Sequence, residues 1–465
     1  MTGTGQSGGQ SGGPPRQTKI ANAVAASIEK EIVAGRYAVG SSIGNEADLC
    51  ERYGVSRWAI REAIAIVQND GLIAVKRGRG GGALVNSTPE NSLAAAICGF
   101  LLHARLENAQ IIQARLAIDS LLYRTAAARF DRPVTAAAFA MAGEAKDDRD
   151  ATTVASEILD VIVGLADNPL IGVFALALSK LTLCRLAMGG YPVGEDAGLS
   201  LSSQLLSLRK RQLSAIIAVD ADAAVAAGAE MAKLWRPLFA DLDDAALRTS
   251  FEDRQAAAFR IAQILHPGQS IKPAGTVSTL LMFDAMQLDP SAKGFIGSEA
   301  ALTARYKVPR NLLREGVRIL ERDGFLRSEP GRTGGIRIGE PDMALLIERA
   351  VRIFEFCGIG IEQVDAFALQ IRLHAMDCVF ARGDAPARLA ERLAAISDAD
   401  LPSAKVFSLI AAHSDNCLVM LAEAICQRLR PDAGERVKNT LLENLKNTLH
   451  ARKTGRSRRI LARMA

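Results

Sequence analysis

The stretch from Glu46 to Gly82 occurs twice in this chain of 465 residues, the second time from Glu299 to Gly335, with no gap between the copies. Glu46 answers to Glu299, Leu49 to Leu302, Arg52-Tyr53 to Arg305-Tyr306 and Val55 to Val308. Arg57 answers to Arg310, Arg61-Glu62 to Arg314-Glu315, Asp70-Gly71 to Asp323-Gly324, and Gly78-Arg79 to Gly331-Arg332. An offset of half the protein is far longer than the roughly 20–50 residues of a solenoid repeat and implies duplication of a whole domain unit. One local fold must therefore be built at two places in the chain.

The first copy can be read residue by residue. Asn45 is placed to cap a short helix with Glu46 and Asp48 in its first turn, and Gly54 ends that helix in a turn conformation. Ser56 then caps a second helix, SRWAIREAIAIVQNDG, with Gly71 at its far end. Ile60, Ile64 and Val67 fall at helical spacing and face inward, whereas Arg57 and Arg61, four apart, share another face. Two helices joined by a tight turn, the second with paired arginines near its start, form a helix-turn-helix. In LIAVKRGRGGGALV, strand-like ends at Leu72–Lys76 and Ala83–Val85 flank a basic glycine-rich turn, a hairpin wing whose Arg77 and Arg79 reach phosphates or a minor groove. Arginines at helical spacing are more often a solvated face, and a basic glycine turn alone says less. The ordered set, present twice, carries the DNA-binding reading.

These residues resemble a known family. Lys19 to Val85, above all GRYAVGSSIGNEADLCERYGVSRWAIREAIAIVQNDGLI and VKRGRGGGALV, is similar to the winged helix-turn-helix of the GntR family of bacterial transcription regulators. The second copy, IGSEAALTARYKVPRNLLREGVRILERDGFLRSEPGRTGGIRI, resembles the same module less closely, and the Ala/Leu-rich stretch after each copy resembles the FCD-type effector domain of the FadR branch. The resemblance implies a mainly α chain in which two winged helix-turn-helix modules, each with a small β-hairpin wing, alternate with two all-helical bundles. It implies a cytoplasmic, nucleoid-associated transcription factor. Its partners would be double-stranded DNA, a small-molecule effector and a second copy of the chain. DNA contacts are expected from Ser56, Arg57, Trp58, Arg61, Arg77 and Arg79, and from Arg310, Asn311, Arg314 and Arg332. Ala47 and Ala300 stand where the family often has an arginine, and Trp58 where it has a small polar residue. Pro309 replaces the opening serine of the second recognition helix and is tolerated in a first helical turn. The two modules are expected to read different bases.

The organisation follows. Residues 1–16 form a disordered Gly/Ser/Gln-rich tail, 17–86 the first winged helix, and 90–248 a helical domain. Its helices are Ser92–Leu106, Asn108–Phe130, a segment around Ala151–Leu165, Pro169–Met188, Leu199–Val219 and Ala221–Leu238. The second winged helix lies within about 251–340, its first helix being either Ala274–Leu288 or residues 254–265. Residues 341–450 form a shorter helical domain and 451–465 a basic tail. That tail ends the run KNTLHARKTGRSRRILARMA, with seven Lys/Arg and no Asp/Glu, which reads as a solvated or disordered tail or as a source of non-specific phosphate contacts. A net charge of +5 is too mild to argue a nucleic-acid partner by itself. Seven scattered cysteines with no CxxC pair read as buried free thiols. The N-terminus lacks the apolar segment of a signal peptide. The most apolar stretch, ILDVIVGLADNPLIGVFALAL, is broken by Asp160, Asp167 and Asn168-Pro169, so it reads as two buried helices rather than a membrane span.

The helical domains offer no metal constellation. Where FCD relatives place an Asp and a His before an Asn-Pro turn, this chain has Ala155 and Leu159, and in the second copy Ser403 and Phe407; Arg209 and Met231 fall near the later histidines. The five histidines, His103, His266, His374, His413 and His450, form no pair at ligand spacing. No metal, cofactor or catalytic residue is expected. Arg115 and Arg372 occupy corresponding positions in QARLAID and QIRLHAMD and suit a carboxylate effector by bidentate pairing; an ordinary salt bridge within the bundle is the more common use of such a residue. A fused aminotransferase, which some GntR relatives carry, needs a long α/β domain and a pyridoxal-phosphate lysine, and the Ala-rich helical stretches exclude it. An effector-independent architectural or constitutive DNA-binding protein stays open as the alternative.

Overall fold

The computed structural model describes residues 16–69, 71–76, 82–86, 89–129, 151–189, 199–240, 251–265, 273–288, 294–329, 331, 334–395, 402–430, 445–447, 449 and 454–464. Two compact units result, Met1–Ser92 and Leu93–Ala465. The expected tail at residues 1–16 lies outside the described residues except for Arg16, which opens the first helix.

In the first unit, helix α1 (Arg16–Val33) precedes strand β1 (Ser42–Gly44), α2 (Glu46–Tyr53), α3 (Arg57–Asn69), β2 (Ile73–Lys76) and β3 (Gly82–Val85). The capping chemistry anticipated at Asn45 is present in full. Its Oδ1 accepts from the Ala47 and Asp48 amides at 2.8 and 3.1 Å, and Asp48 Oδ2 accepts from the Asn45 amide at 3.1 Å. Gly54, at φ +62°, ends α2 and turns the chain into α3. Ile60, Ala63 and Val67 are buried along α3, which packs on α1 where Ile28 and Ile32 are buried. Each of these isoleucines and Val67 contributes roughly 1.5–3 kcal/mol by leaving water. The wing is an antiparallel pair, Ile73 opposite Val85 and Lys76 opposite Gly82. Sequence periodicity gave no sign of β1, which pairs with β3 to complete a sheet of order β1-β3-β2. Three residues, Ser-Ile-Gly, are too few for an alternating pattern to register. Gly71 sits at φ +81°, and a Cβ there would come within 2.4 Å of Ser92 Cβ, so the turn between α3 and β2 needs glycine.

The second unit opens with most of α4 (Pro89–His103) and continues through α5 (Asn108–Ala128), α6 (Ala151–Ala166), α7 (Pro169–Met188), α8 (Leu199–Ile217) and α9 (Ala221–Ala240). The expected helices are all present, with ends displaced by a few residues. α5 packs on α6, α7 and α9, and α6 on α8. α7 is long and apolar enough to cross a membrane, but 83% of its most apolar window is buried in the bundle, as a central core helix would be. Asn168 caps it by accepting from the Ile171 amide at 3.3 Å.

A second winged module follows: α10 (Phe251–Leu265), α11 (Pro273–Gln287), β4 (Phe295–Gly297), α12 (Glu299–Tyr306), α13 (Arg310–Arg322), β5 (Leu326–Glu329) and β6 (Gly335–Ile338), with sheet order β4-β6-β5. Both candidate first helices exist. α11 packs on α13 as α1 packs on α3, so it is the counterpart of α1, while α10 is an additional helix lying against α7 and α11. Lys180 Nζ on α7 donates to the Ile264 carbonyl of α10 at 2.8 Å. Local chemistry differs between the modules. Ser298 caps α12 through the Ala301 amide at 3.2 Å, and Lys307, at φ +54°, takes the left-handed position that Gly54 holds in the first copy. Pro309 is the N-cap of α13 rather than a residue of its first turn, with φ −69° and ψ 153°; the proline ring suits that extended conformation, and the helix starts at Arg310. The module sits on α4: Phe325 packs against His103, ring centroids 5.4 Å apart, and over Gly99. Arg105 Nη2 donates to the Ala285 and Leu288 carbonyls at 3.1 and 3.3 Å.

The chain ends in a second bundle of α14 (Met343–Phe356), α15 (Ile361–Ala381), α16 (Ala385–Ala394), α17 (Ser403–His413), α18 (Cys417–Leu429) and α19 (Thr454–Met464). The basic tail is not simply solvated. Its residues form α19, which packs on α15 with Ser457 and Ile460 buried and Arg458 paired to Asp377. Charge composition concealed this because the basic side chains of an amphipathic helix leave one face free to bury. All seven cysteines are free thiols, but only Cys98, Cys184, Cys378 and Cys426 are buried; Cys50, Cys357 and Cys417 are half-buried.

Candidate nucleic-acid interface

The exposed face of α3 carries Arg57, Trp58 and Arg61, with Ser56 just before it, and all four are exposed. Trp58 leaves 46% of its surface in water, unusual for a large aromatic ring on a well-packed helix. Ser56 Oγ accepts weakly from the Ala59 amide at 3.4 Å, so its hydroxyl contributes to the cap. Arg61 Nε donates to Glu46 Oε2 on α2 at 2.8 Å, and the carboxylate raises the guanidinium pKa further. α13 presents Arg310, Asn311 and Arg314 in the same way, all exposed. Arg314 pairs with Glu299 of α12, Nε to Oε1 at 3.0 Å and Nη2 to Oε2 at 3.1 Å. The same ion pair therefore recurs between α2 and α3 and between α12 and α13. The residues are 15 apart in both cases. From the sequence alone Glu46 serves only the helix dipole; a contact across the turn is not visible from helical spacing. Such a face offers planar guanidinium forks, which suit guanine edges and phosphates, on a helix free to enter a groove. Arg77, Arg79 and Arg332 lie outside the described residues; the strands that would carry their wings, β2–β3 and β5–β6, are formed.

The two modules are held together differently. In the second, Asp284 of α11 is buried and accepts from Arg305 at 2.6 Å, Tyr306 Oη at 2.7 Å and Arg254 of α10 at 3.3 Å. Burial, then Asp284, push the Tyr306 pKa up. In the first, Glu31 takes the corresponding place on α1, accepting from Tyr37 Oη at 2.9 Å and from Arg36 at 2.9 Å.

Of the two effector candidates, Arg115 lines a cavity of about 20 Å³ in the first bundle together with Ala155, Thr182, Arg209 and Trp235. Arg115 donates to Asp119 Oδ2 at 3.1 Å and Thr182 Oγ1 at 3.3 Å. Arg209 donates to Tyr123 Oη at 3.0 Å and Gln212 Oε1 at 2.9 Å. Burial and Asp119 push the Tyr123 pKa up to about 12. Trp235 Nε1 has no hydrogen-bond partner among the described residues. A space of that size holds about one water. Arg372, by contrast, stacks on Phe407 with its guanidinium carbon 3.7 Å from the ring centroid and forms a bidentate pair with buried Glu423 at 3.0 and 3.0 Å. The carboxylate that an effector would bring to Arg372 is already supplied by the chain. Among the described residues, no group of three or more His, Cys, Asp or Glu is placed to hold a metal ion.

Residues 20–82 match the family model described as bacterial regulatory proteins, gntR family. The match falls on the first winged module and makes it similar to the DNA-binding domain of that family. Over 150 residues the chain is 31% identical to an uncharacterized HTH-type transcriptional regulator of Mycobacterium tuberculosis, covering 32% of this chain and 60% of that protein. It is 40% identical over 60 residues to the Glc operon transcriptional activator of Escherichia coli, covering 13% of this chain and 24% of that protein. The chain thus spans less than two thirds of the length of these curated relatives. Among solved structures, a Streptococcus agalactiae GntR superposes with a TM-score of 0.31 at 16% identity, over 46% of this chain and 99% of that one. The mainly helical architecture with small antiparallel sheets is consistent with a GntR winged helix-turn-helix, and these relatives are described as transcriptional regulators.

Proposed function

We propose that this chain is a sequence-specific transcription regulator of the FadR branch, duplicated in tandem. Two winged heads, residues 17–86 and 251–340, would read double-stranded DNA, and the helical domains at 90–248 and 341–450 would be FCD-like. The observation that carries this reading is the exposed arginine pair on each recognition helix, Arg57 with Arg61 and Arg310 with Arg314, each second arginine held by a glutamate of the preceding helix. Ser56, Trp58 and Asn311 would add base or phosphate contacts, and Arg77, Arg79 and Arg332 phosphate or minor-groove contacts. The first head keeps the serine cap and the family match and would dominate affinity. The second head, even if weak, raises apparent affinity because it is tethered to the first.

Selection from a random duplex library by the immobilised full chain tests the reading. A recurring motif bound in preference to unselected duplex is expected; equal binding of both would refute it. A carboxylate effector at Arg115 would have to enlarge a cavity that now holds about one water. That small volume speaks against an effector at Arg115, and constitutive DNA binding without an effector is the second reading. Release of the selected duplex by small carboxylic acids separates the two.

A further inference from the structure

The two helical bundles face each other through residues that answer to one another in the repeat. α5 and α15 are each 21 residues long, and Asn108 and Ile361 open them at the offset that relates the winged modules. Each carries a glutamine at its third position that caps its own helix. Gln110 Oε1 accepts from the Glu107 amide at 3.0 Å, and Gln363 Oε1 from the Gly360 amide at 2.8 Å. Each glutamine then reaches into the opposite bundle. Gln110 Nε2 donates to the Asp415 carbonyl at 3.0 Å, and Gln363 Nε2 to the Asp167 carbonyl at 2.5 Å. Asp167 and Asp415 are themselves counterparts. Each directly precedes the asparagine that caps the next helix, Asn168 or Asn416, and each has positive φ, 45° and 51°.

A third contact fixes the symmetry. Gln370 Nε2 donates to the Ala117 carbonyl at 3.4 Å, and these residues are 253 apart, the offset of the repeat itself. A residue that meets its own counterpart lies beside a two-fold axis, and reciprocal i-to-j and j-to-i contacts define an isologous interface. Phe174 of α7 against Phe367 of α15, ring centroids 5.0 Å apart, supplies apolar contact at the same junction. The bundles are therefore paired as two subunits of a dimer would be, within one chain. A patch used in this way is not offered to a second copy.

Two-fold-symmetric dimers read palindromic operators because their recognition helices are identical. Here they are not: Ser56-Arg57-Trp58 in the first head answers to Pro309-Arg310-Asn311 in the second. We infer that one chain is the complete DNA-binding unit and that its target is a duplex with two unlike half-sites, bound one chain per site. This inference rests on the DNA-binding reading above, but the pairing of the bundles does not.

The test uses the intact full chain. Sedimentation equilibrium at micromolar concentration without DNA should give a single species at the chain mass of 49.5 kDa. The duplex recovered by library selection should contain two dissimilar half-motifs, and its complex should sediment as one chain per duplex. A free species of about twice the chain mass, or two chains on a palindromic site, overturns the inference while leaving the DNA reading intact. A chain-mass species that selects no motif overturns the DNA reading, and the asymmetric target with it.

Discussion

Acid should weaken the second bundle through His374. This residue lies on α15, is 5% exposed, and has Nε2 3.7 Å from Cys378 Sγ. Burial, followed by the charge of Arg458, lowers its pKa from 6.5 to about 4. The unfolded chain therefore takes up this proton first as pH falls. The stability linked to neutral His374 is complete above about pH 6.5 and is lost as pH falls from there toward 4, at roughly 1.4 kcal/mol per unit and about 3 kcal/mol in all. Asp377, whose pKa burial pushes up, works in the opposite direction, so wild type must be compared with a His374→Gln variant. A chain with several cooperative units has no single unfolding free energy, so the appropriate assay is hydrogen exchange resolved to α15 at pH 7.5 and 4.5, corrected for intrinsic rates. Wild-type α15 should lose protection over this interval and His374→Gln should lose much less. Equal losses, or a His374 ring resonance that titrates near 6.5 in the folded chain, would refute the reasoning. Gln363, Phe367 and Gln370 share this helix, so the junction between the bundles should loosen with it.

Three other outcomes can be checked separately. Lys307→Gly should stabilise the second module by about 1 kcal/mol, because glycine takes the left-handed conformation without a Cβ clash; unchanged local exchange in α12 and α13 would contradict this. Asp284→Ala should destabilise the same module by about 3 kcal/mol by leaving buried Tyr306 and the Arg305 and Arg254 guanidiniums without their carboxylate, and a local loss under 1 kcal/mol would show that water replaces it. Arg79→Ala and Arg332→Ala should weaken binding to all duplexes alike and reduce the salt dependence by about one unit of slope each, whereas a loss confined to one base pair would assign these residues to base reading.

The winged modules were legible because their signals are local: an Asn or Ser cap, a turn after eight helical residues, arginines four apart. The bundle helices were legible from apolar periodicity and from Asn168-Pro169. What stayed hidden depends on residues far apart in the chain. Glu46 and Arg61 meet across a turn, and Arg372 finds Glu423 51 residues away, so a candidate ligand site is already occupied by the protein's own carboxylate. Asp284 gathers Arg254, Arg305 and Tyr306 from two other helices. Gln110 and Gln363 are recognisable as capping residues, but their second bonds go to backbone carbonyls, which have no sequence signature. The extra strand β1 was too short to announce itself, and α19 was masked by its charge.

Under the proposed function, Arg61 and Arg314 read DNA from the exposed faces of α3 and α13. The most direct test is the affinity of Arg61→Ala and Arg314→Ala, each shown folded by circular dichroism, for the duplex selected by wild type and for an unselected duplex, at one fixed salt concentration. A bidentate arginine–guanine pair accounts for roughly a tenfold to hundredfold preference. Arg61→Ala should therefore lose at least about tenfold on the selected duplex and far less on the unselected one, with Arg314→Ala showing the same pattern more weakly. A folded Arg61→Ala chain that binds the selected duplex with wild-type affinity would contradict the account.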